Sequence, residues 1–136
     1  MNLTSLRPEL QLAVEAAQEK HAEHITVLNL RGTGAFAEYF LLCSGESQPQ
    51  LRAIGEAIEE RLDRAGCHLS HREGKSSAEW FLLDYGSFIV HIFSARAREY
   101  YDLERLWRNA ERIDIAADAP PRPLSGSAPQ YPSAPE

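Results

Sequence analysis

Five histidines, two cysteines and a handful of serines are the side chains of this chain that could do chemistry, and their spacing decides what that chemistry would be. His21 and His24 stand three apart near the end of a helical pattern and could share a metal ion, yet the sequence places no third ligand beside them. Solvated histidines are ordinary near a helix C-terminus. His68 and His71 are also three apart, but in an extended stretch, where that spacing points them to opposite faces. His91 lies between Val90 and Ile92 in an apolar strand and reads as a hydrogen-bonded histidine of the core rather than a general base. Cys43-Ser44-Gly45-Glu46-Ser47 resembles a strand-to-helix elbow but lacks the G-x-S-x-G pattern and any indicated acid-base partner. Arg31-Gly32-Thr33-Gly34 has no Lys-Ser/Thr after it and no helix start, so it reads as a turn and not a phosphate loop. Cys43 and Cys67 fit no zinc spacing and are too few for a disulfide framework, which suggests two buried free thiols in a reducing compartment. No catalytic set, metal site or cofactor site emerges, and the expectation is a binding protein, not an enzyme.

The elements that must position these residues follow from periodicity. The 136 residues, 43% hydrophobic, suit one domain with one core. Residues 1–116 form that domain. Residues 117–136 are a Pro-rich tail, with six of the eight prolines between Ala119 and Glu136, and are expected to be disordered. A helix from about Arg7 to Glu23 follows from Leu6, Leu10, Ala13, Val14 and Ala17. Ile25–Leu30 and Phe36–Cys43 are apolar on both faces, as central strands are. Ser47 and Gln50 form a capping box for the main helix, with Pro49 in its first turn, Leu51, Ile54, Ile58 and Leu62 on its buried stripe, and Gly66 as its C-terminal cap. A short strand His68–Glu73 and two strong ones, Trp80–Tyr85 and Phe88–Phe93, make an antiparallel meander with a tight turn at Asp84-Tyr85-Gly86. One last helix runs from about Arg96 to Arg108. The fold class is therefore α+β, a mixed sheet of about five strands flanked by helices in the order α-β-β-α-β-β-β-α.

Charge and hydropathy narrow the partners. Fourteen Lys and Arg against 20 Asp and Glu give a formal net charge of −6, which disfavours a phosphate backbone and sequence-specific nucleic acid, and suits a basic protein. No apolar run approaches the roughly 18 residues of a membrane-spanning helix. The first 20 residues lack the apolar segment of a signal peptide, so the expected location is cytoplasmic.

Aromatic bulk and polar groups coincide in Glu79-Trp80-Phe81-Leu82-Leu83-Asp84-Tyr85-Gly86. Alternation sets Trp80, Leu82 and Asp84 on one face and Phe81, Leu83 and Tyr85 on the other. The adjacent Tyr100 and Tyr101 must point in different directions from a helix, which leaves one of them exposed. These segments, in order, resemble the Iojap-like ribosomal silencing factor family. The resemblance rests on Ala22 to Gly32 (AEHITVLNLRG), Tyr39 to Gly45 (YFLLCSG), Arg72-Glu73-Gly74, Trp80 to Gly86, Val90-His91-Ile92-Phe93 and Tyr101 to Trp107 (YDLERLW), and it spans about Leu10 to Trp107. It implies a fold related to nucleotidyltransferases and a factor that binds ribosomal protein L fourteen on the large subunit. Docked there, it would block association with the small subunit and repress translation under nutrient limitation. Carried over residue by residue, the docking surface falls on Trp80, Leu82, Asp84 and Tyr85, with Glu73 and Tyr101 as neighbours. Glu73, Glu79 and Asp84 would steer approach to a basic partner. The Ser44-Gly45 turn of a transferase is present, but no Asp-x-Asp pair follows it on a strand to hold Mg²⁺, so the fold reads as catalytically empty. The alternatives are a small nucleotidyltransferase-like enzyme and a scaffold that dimerises through the aromatic face.

Overall fold

The computed structural model describes residues 6–74 and 78–115. Six strands form one mixed sheet: β1 (Glu23–Asn29), β2 (Tyr39–Gly45), β3 (His71–Glu73), β4 (Trp80–Asp84), β5 (Phe88–Ser94) and β6 (Glu111–Asp114), in the spatial order β3-β4-β5-β2-β1-β6. All neighbours are antiparallel except β2 and β5, which pair in parallel at the centre, as the long crossover between them permits. The α+β class and the helix-flanked mixed sheet agree with the sequence reading, with one strand more than expected.

Helices α1 (Pro8–Glu19) and α2 (Gln48–Arg64) cover the first face of the sheet. Leu10, Ala13, Val14 and Ala17 of α1 and Leu51, Ile54, Ile58 and Leu62 of α2 meet Ile25, Val27, Leu41, Cys43, Phe81, Leu83, Val90 and Ile92, all buried. Burial pushes the Cys43 thiol up to about 12, which keeps it unreactive. Cys67 is only half-buried, against the expectation of two buried thiols, because it sits where the chain leaves α2. The Ser47 hydroxyl accepts from the Gln50 amide at 3.1 Å, but the reciprocal half of the capping box is absent. Gln50 Oε1 instead accepts from the Glu46 amide, and its Nε2 donates to the Lys20 and His21 carbonyls, tying the start of α2 to the end of α1.

Both helices end in Schellman motifs. In α2, Gly66 at φ +84° supplies the left-handed residue, with Cys67 N–H donating to the Leu62 carbonyl. In α1 the same place is taken by His21 at φ +63°, which stops the helix at Glu19 rather than Glu23.

The second face is covered by α3 (Ala95–Tyr101) and α4 (Leu103–Leu106), where a single helix was expected. Asp102 lies between them at φ +49°, a left-handed conformation that Asp tolerates better than most residues. The Ser94 hydroxyl caps α3 by accepting from the Ala97 amide at 3.0 Å. Strand β6 was missed because its four residues carry one apolar side chain, Ile113; the ladder to β1 and the burial of Ile113, not patterning, make it a strand. His68 precedes β3 rather than belonging to it, so the extended stretch begins at His71. The Pro-rich tail expectation lies outside the described residues.

Candidate docking face

The register of the sheet brings the second-face side chains together row by row. Asp84, Ile89, Phe40 and Leu28 follow one another across β4, β5, β2 and β1, and Glu73, Leu82, His91, Leu42 and Thr26 form the next row. Trp80 stands beside Phe93 on β5. Only part of this face is shielded: α3 and α4 cover Leu28, Leu42 and Phe93, whereas Trp80, Leu82, Asp84, Ile89 and Phe40 remain half-buried.

Rings run along the open part in sequence. Tyr100 meets Tyr101 edge-on at 5.0 Å between centroids, Tyr101 lies 4.4 Å from Trp80, Trp80 lies 5.7 Å from His91, His91 meets Phe40 edge-on at 4.5 Å, and Phe40 meets Trp107 edge-on at 6.1 Å. These separations and tilts are those of attractive aromatic pairs. Both tyrosines are exposed, Tyr100 at 79% and Tyr101 at 50%, where one was expected. The Asp102 break ends α3 at Tyr101, so both rings lie in its last turn, where the helix axis changes direction.

Of the six residues assigned to the docking surface, Trp80, Leu82 and Asp84 share this face, Glu73 lies beside Leu82 on the edge strand, and Tyr101 covers Trp80 from α3. Tyr85 does not join them. Its side chain turns to the α2 side of the sheet, 8% exposed and stacked on Phe88 at 5.1 Å. Period-two alternation already separated it from Trp80, and the structure follows the alternation. The Tyr85 hydroxyl is buried with no hydrogen-bond partner among the described residues, and burial raises its pKa well above the usual phenol value.

The acidic groups are not equally available. Glu79 is bound by Arg96 and accepts from the Ser94 hydroxyl, which holds its carboxyl below the usual range and removes it from a steering role. Asp84 Oδ1 accepts from the Gly86 amide at 2.8 Å and fixes the β4–β5 turn, where Gly86 sits at φ +87°. Glu73 is exposed at the sheet edge with His71 beside it.

Sequence reasoning missed the polar knot behind α3. Arg98, 9% exposed, donates to the His24 carbonyl (2.5 Å), the Ser44 hydroxyl (3.1 Å), the Thr26 hydroxyl (3.1 Å) and both oxygens of Glu104 (3.1 and 2.9 Å). His24 sits at φ +51° where the β1–β2 ladder is irregular, and its carbonyl is turned to the guanidinium. The hydrogen bonds from Arg98 hold the Glu104 carboxyl below the usual range. An adjoining cleft of about 340 Å³ is lined by His24, Ser44, Ala95, Arg98, Glu99, Asp102 and Glu104. Ser44, which with Gly45 ends β2 rather than forming a turn, therefore faces an arginine already saturated with acceptors. Among the described residues, no three His, Cys, Asp or Glu side chains gather as a metal site would require.

The fold is α+β, a mixed sheet backed by helices on one face and left half-open and aromatic on the other. The chain belongs to the ribosomal silencing factor family, since the family model described as "Ribosomal silencing factor during starvation" matches residues 4–134. It is 39% identical over 106 residues to ribosomal silencing factor RsfS of Bacillus subtilis, covering 78% of this chain and 90% of that protein. A crystal structure from Bacillus halodurans is similar at 36% identity and a TM-score of 0.68, over 78% of this chain and 96% of that one. Another, from Chromobacterium violaceum, matches at 27% identity and a TM-score of 0.72, over 89% and 98%.

Proposed function

We propose that this protein is a ribosomal silencing factor that docks Trp80 and its neighbours onto ribosomal protein L fourteen of the large subunit and blocks joining of the small subunit by steric exclusion. The observation that carries this reading is the half-buried Trp80, packed under Tyr101 and beside Leu82 on the open sheet face of a chain in this family. Indole rings held in place at the centre of an apolar patch are the usual energetic centres of protein interfaces. Glu73 and Asp84 at its rim give a basic partner something to pair with, and the net charge of −6 favours its approach. Such a protein needs no catalytic step, because occupancy of the surface is the effect.

Purified protein added to separated subunits, followed by sucrose-gradient sedimentation, tests this directly. The expected result is accumulation of free subunits in proportion to protein added. Normal formation of joined ribosomes at saturating protein rules the reading out. In the same assay Trp80→Ala should weaken large-subunit binding by at least about 2 kcal/mol, roughly 30-fold. Because Trp80 also packs on Phe93, a modest loss of thermal stability should accompany it.

A further inference from the structure

The indole N–H of Trp80 does not face outward. It donates to Nδ1 of His91 at 3.1 Å, across the β4–β5 ladder from a residue that is 3% exposed. That bond decides the tautomer: Nδ1 accepts, so the proton of the neutral ring is on Nε2. Nε2 is buried and has no hydrogen-bond partner among the described residues. An unpartnered buried donor costs stability, so the arrangement calls for a reason beyond packing. Phe40, Phe93 and Trp80 surround the imidazole at 4.5–6.2 Å and could equally have enclosed a leucine. What a leucine would not provide is an acceptor for the indole.

From this geometry we infer that His91 is a positioning residue of the docking face, holding the Trp80 indole by its N–H in the orientation in which the partner receives it. The inference rests on the docking reading given above. It has a consequence for the partner: with its only donor consumed inward, Trp80 presents carbon alone, so the pocket that receives it is apolar and polar recognition falls to the rim at Glu73 and Asp84. Burial lowers the His91 pKa to about 4, which keeps Nδ1 free to accept at neutral pH.

The test uses the full chain with His91→Leu, His91→Asn, Trp80→Phe and the double variant Trp80→Phe/His91→Leu. Asn places Oδ1 where Nδ1 stood and keeps the acceptor; Leu removes it. In proton–nitrogen spectra of the free protein, the Trp80 indole N–H, identified by its loss in Trp80→Phe, should exchange slowly with solvent in wild type and His91→Asn and quickly in His91→Leu. Co-sedimentation with large subunits should fall about tenfold in His91→Leu and recover to within about threefold of wild type in His91→Asn, as expected for coupled neighbours. In the Trp80→Phe background, His91→Leu should change binding by less than about twofold. Slow indole exchange in His91→Leu overturns the hold, and so do losses that simply multiply in the double variant. Failure of the wild type to bind large subunits is a separate result that sinks the docking reading, and the exchange measurement on the free protein is read without it.

Discussion

His91 shows how far a single residue can be read. Its apolar flanks on β5 marked it as a core histidine with a hydrogen bond, and it is one, but the identity of its partner needed the register that sets Trp80 and Leu82 beside Phe93 and His91. Its titration gives a test of burial. The folded pKa, about 4, lies below the ordinary 6.5, so between these values the unfolded chain binds a proton that the folded chain refuses. The stability tied to His91 is therefore complete above pH 6.5 and lost progressively as pH falls toward 4, amounting to about 3 kcal/mol. Urea midpoints measured at pH 7 and pH 4.5 should diverge more in wild type than in His91→Asn; equal divergence would mean that the ring is hydrated. Tyr85 gives the opposite lesson. Resemblance assigned it to the docking surface, while alternation set it on the face opposite Trp80, which the structure shows to be the buried one. Tyr85→Phe removes a buried hydroxyl that has no partner among the described residues, so thermal stability should stay level or rise slightly while large-subunit binding is unchanged.

Elements with strong periodicity were legible to within a few residues. The apolar stripe and the Ser47 and Gly66 signals of α2, the continuous apolar runs of β1 and β2, and the alternation of β4 all hold. What was illegible depends on tertiary contacts. The run from Arg96 to Trp107 has helical spacing throughout, and nothing local announces the left-handed Asp102. The break follows from Arg98, whose guanidinium must reach β1 and β2 on one side and Glu104 on the other, and a straight helix would carry Glu104 away from it. Glu104→Gln leaves that guanidinium, 9% exposed, without its counter-charge and should lower unfolding free energy by about 3 kcal/mol in urea titrations. Since Tyr101 sits one residue before the break, the variant should also loosen its stacking on Trp80, visible as a weaker near-ultraviolet circular dichroism signal. Ser47→Ala, which removes only a helix cap, should cost about 1 kcal/mol and leave that signal intact.

For the molecule as a whole, the two faces of the sheet have separate tasks. The α1–α2 side holds the main core, and the α3–α4 side is left partly open where the rings line up. Motif order was enough to place the chain in this family, but not to tell which carboxylates are available, because the pairing of Glu79 with Arg96 is a contact between β4's approach and α3. Calorimetry with Mg-ATP should show no saturable heat, since the cleft at Ser44 already holds a charged arginine with every donor engaged; measurable binding would revive the transferase reading. The strand order also governs how the protein can be handled. Strand β6 lies four strand spacings from β4, roughly 19 Å, at the opposite margin of the sheet. A dye, bead or sensor-chip linkage placed on the exposed side chain of Glu111 would therefore hold the protein by its far edge and leave the indole end free to meet a particle as large as a ribosomal subunit.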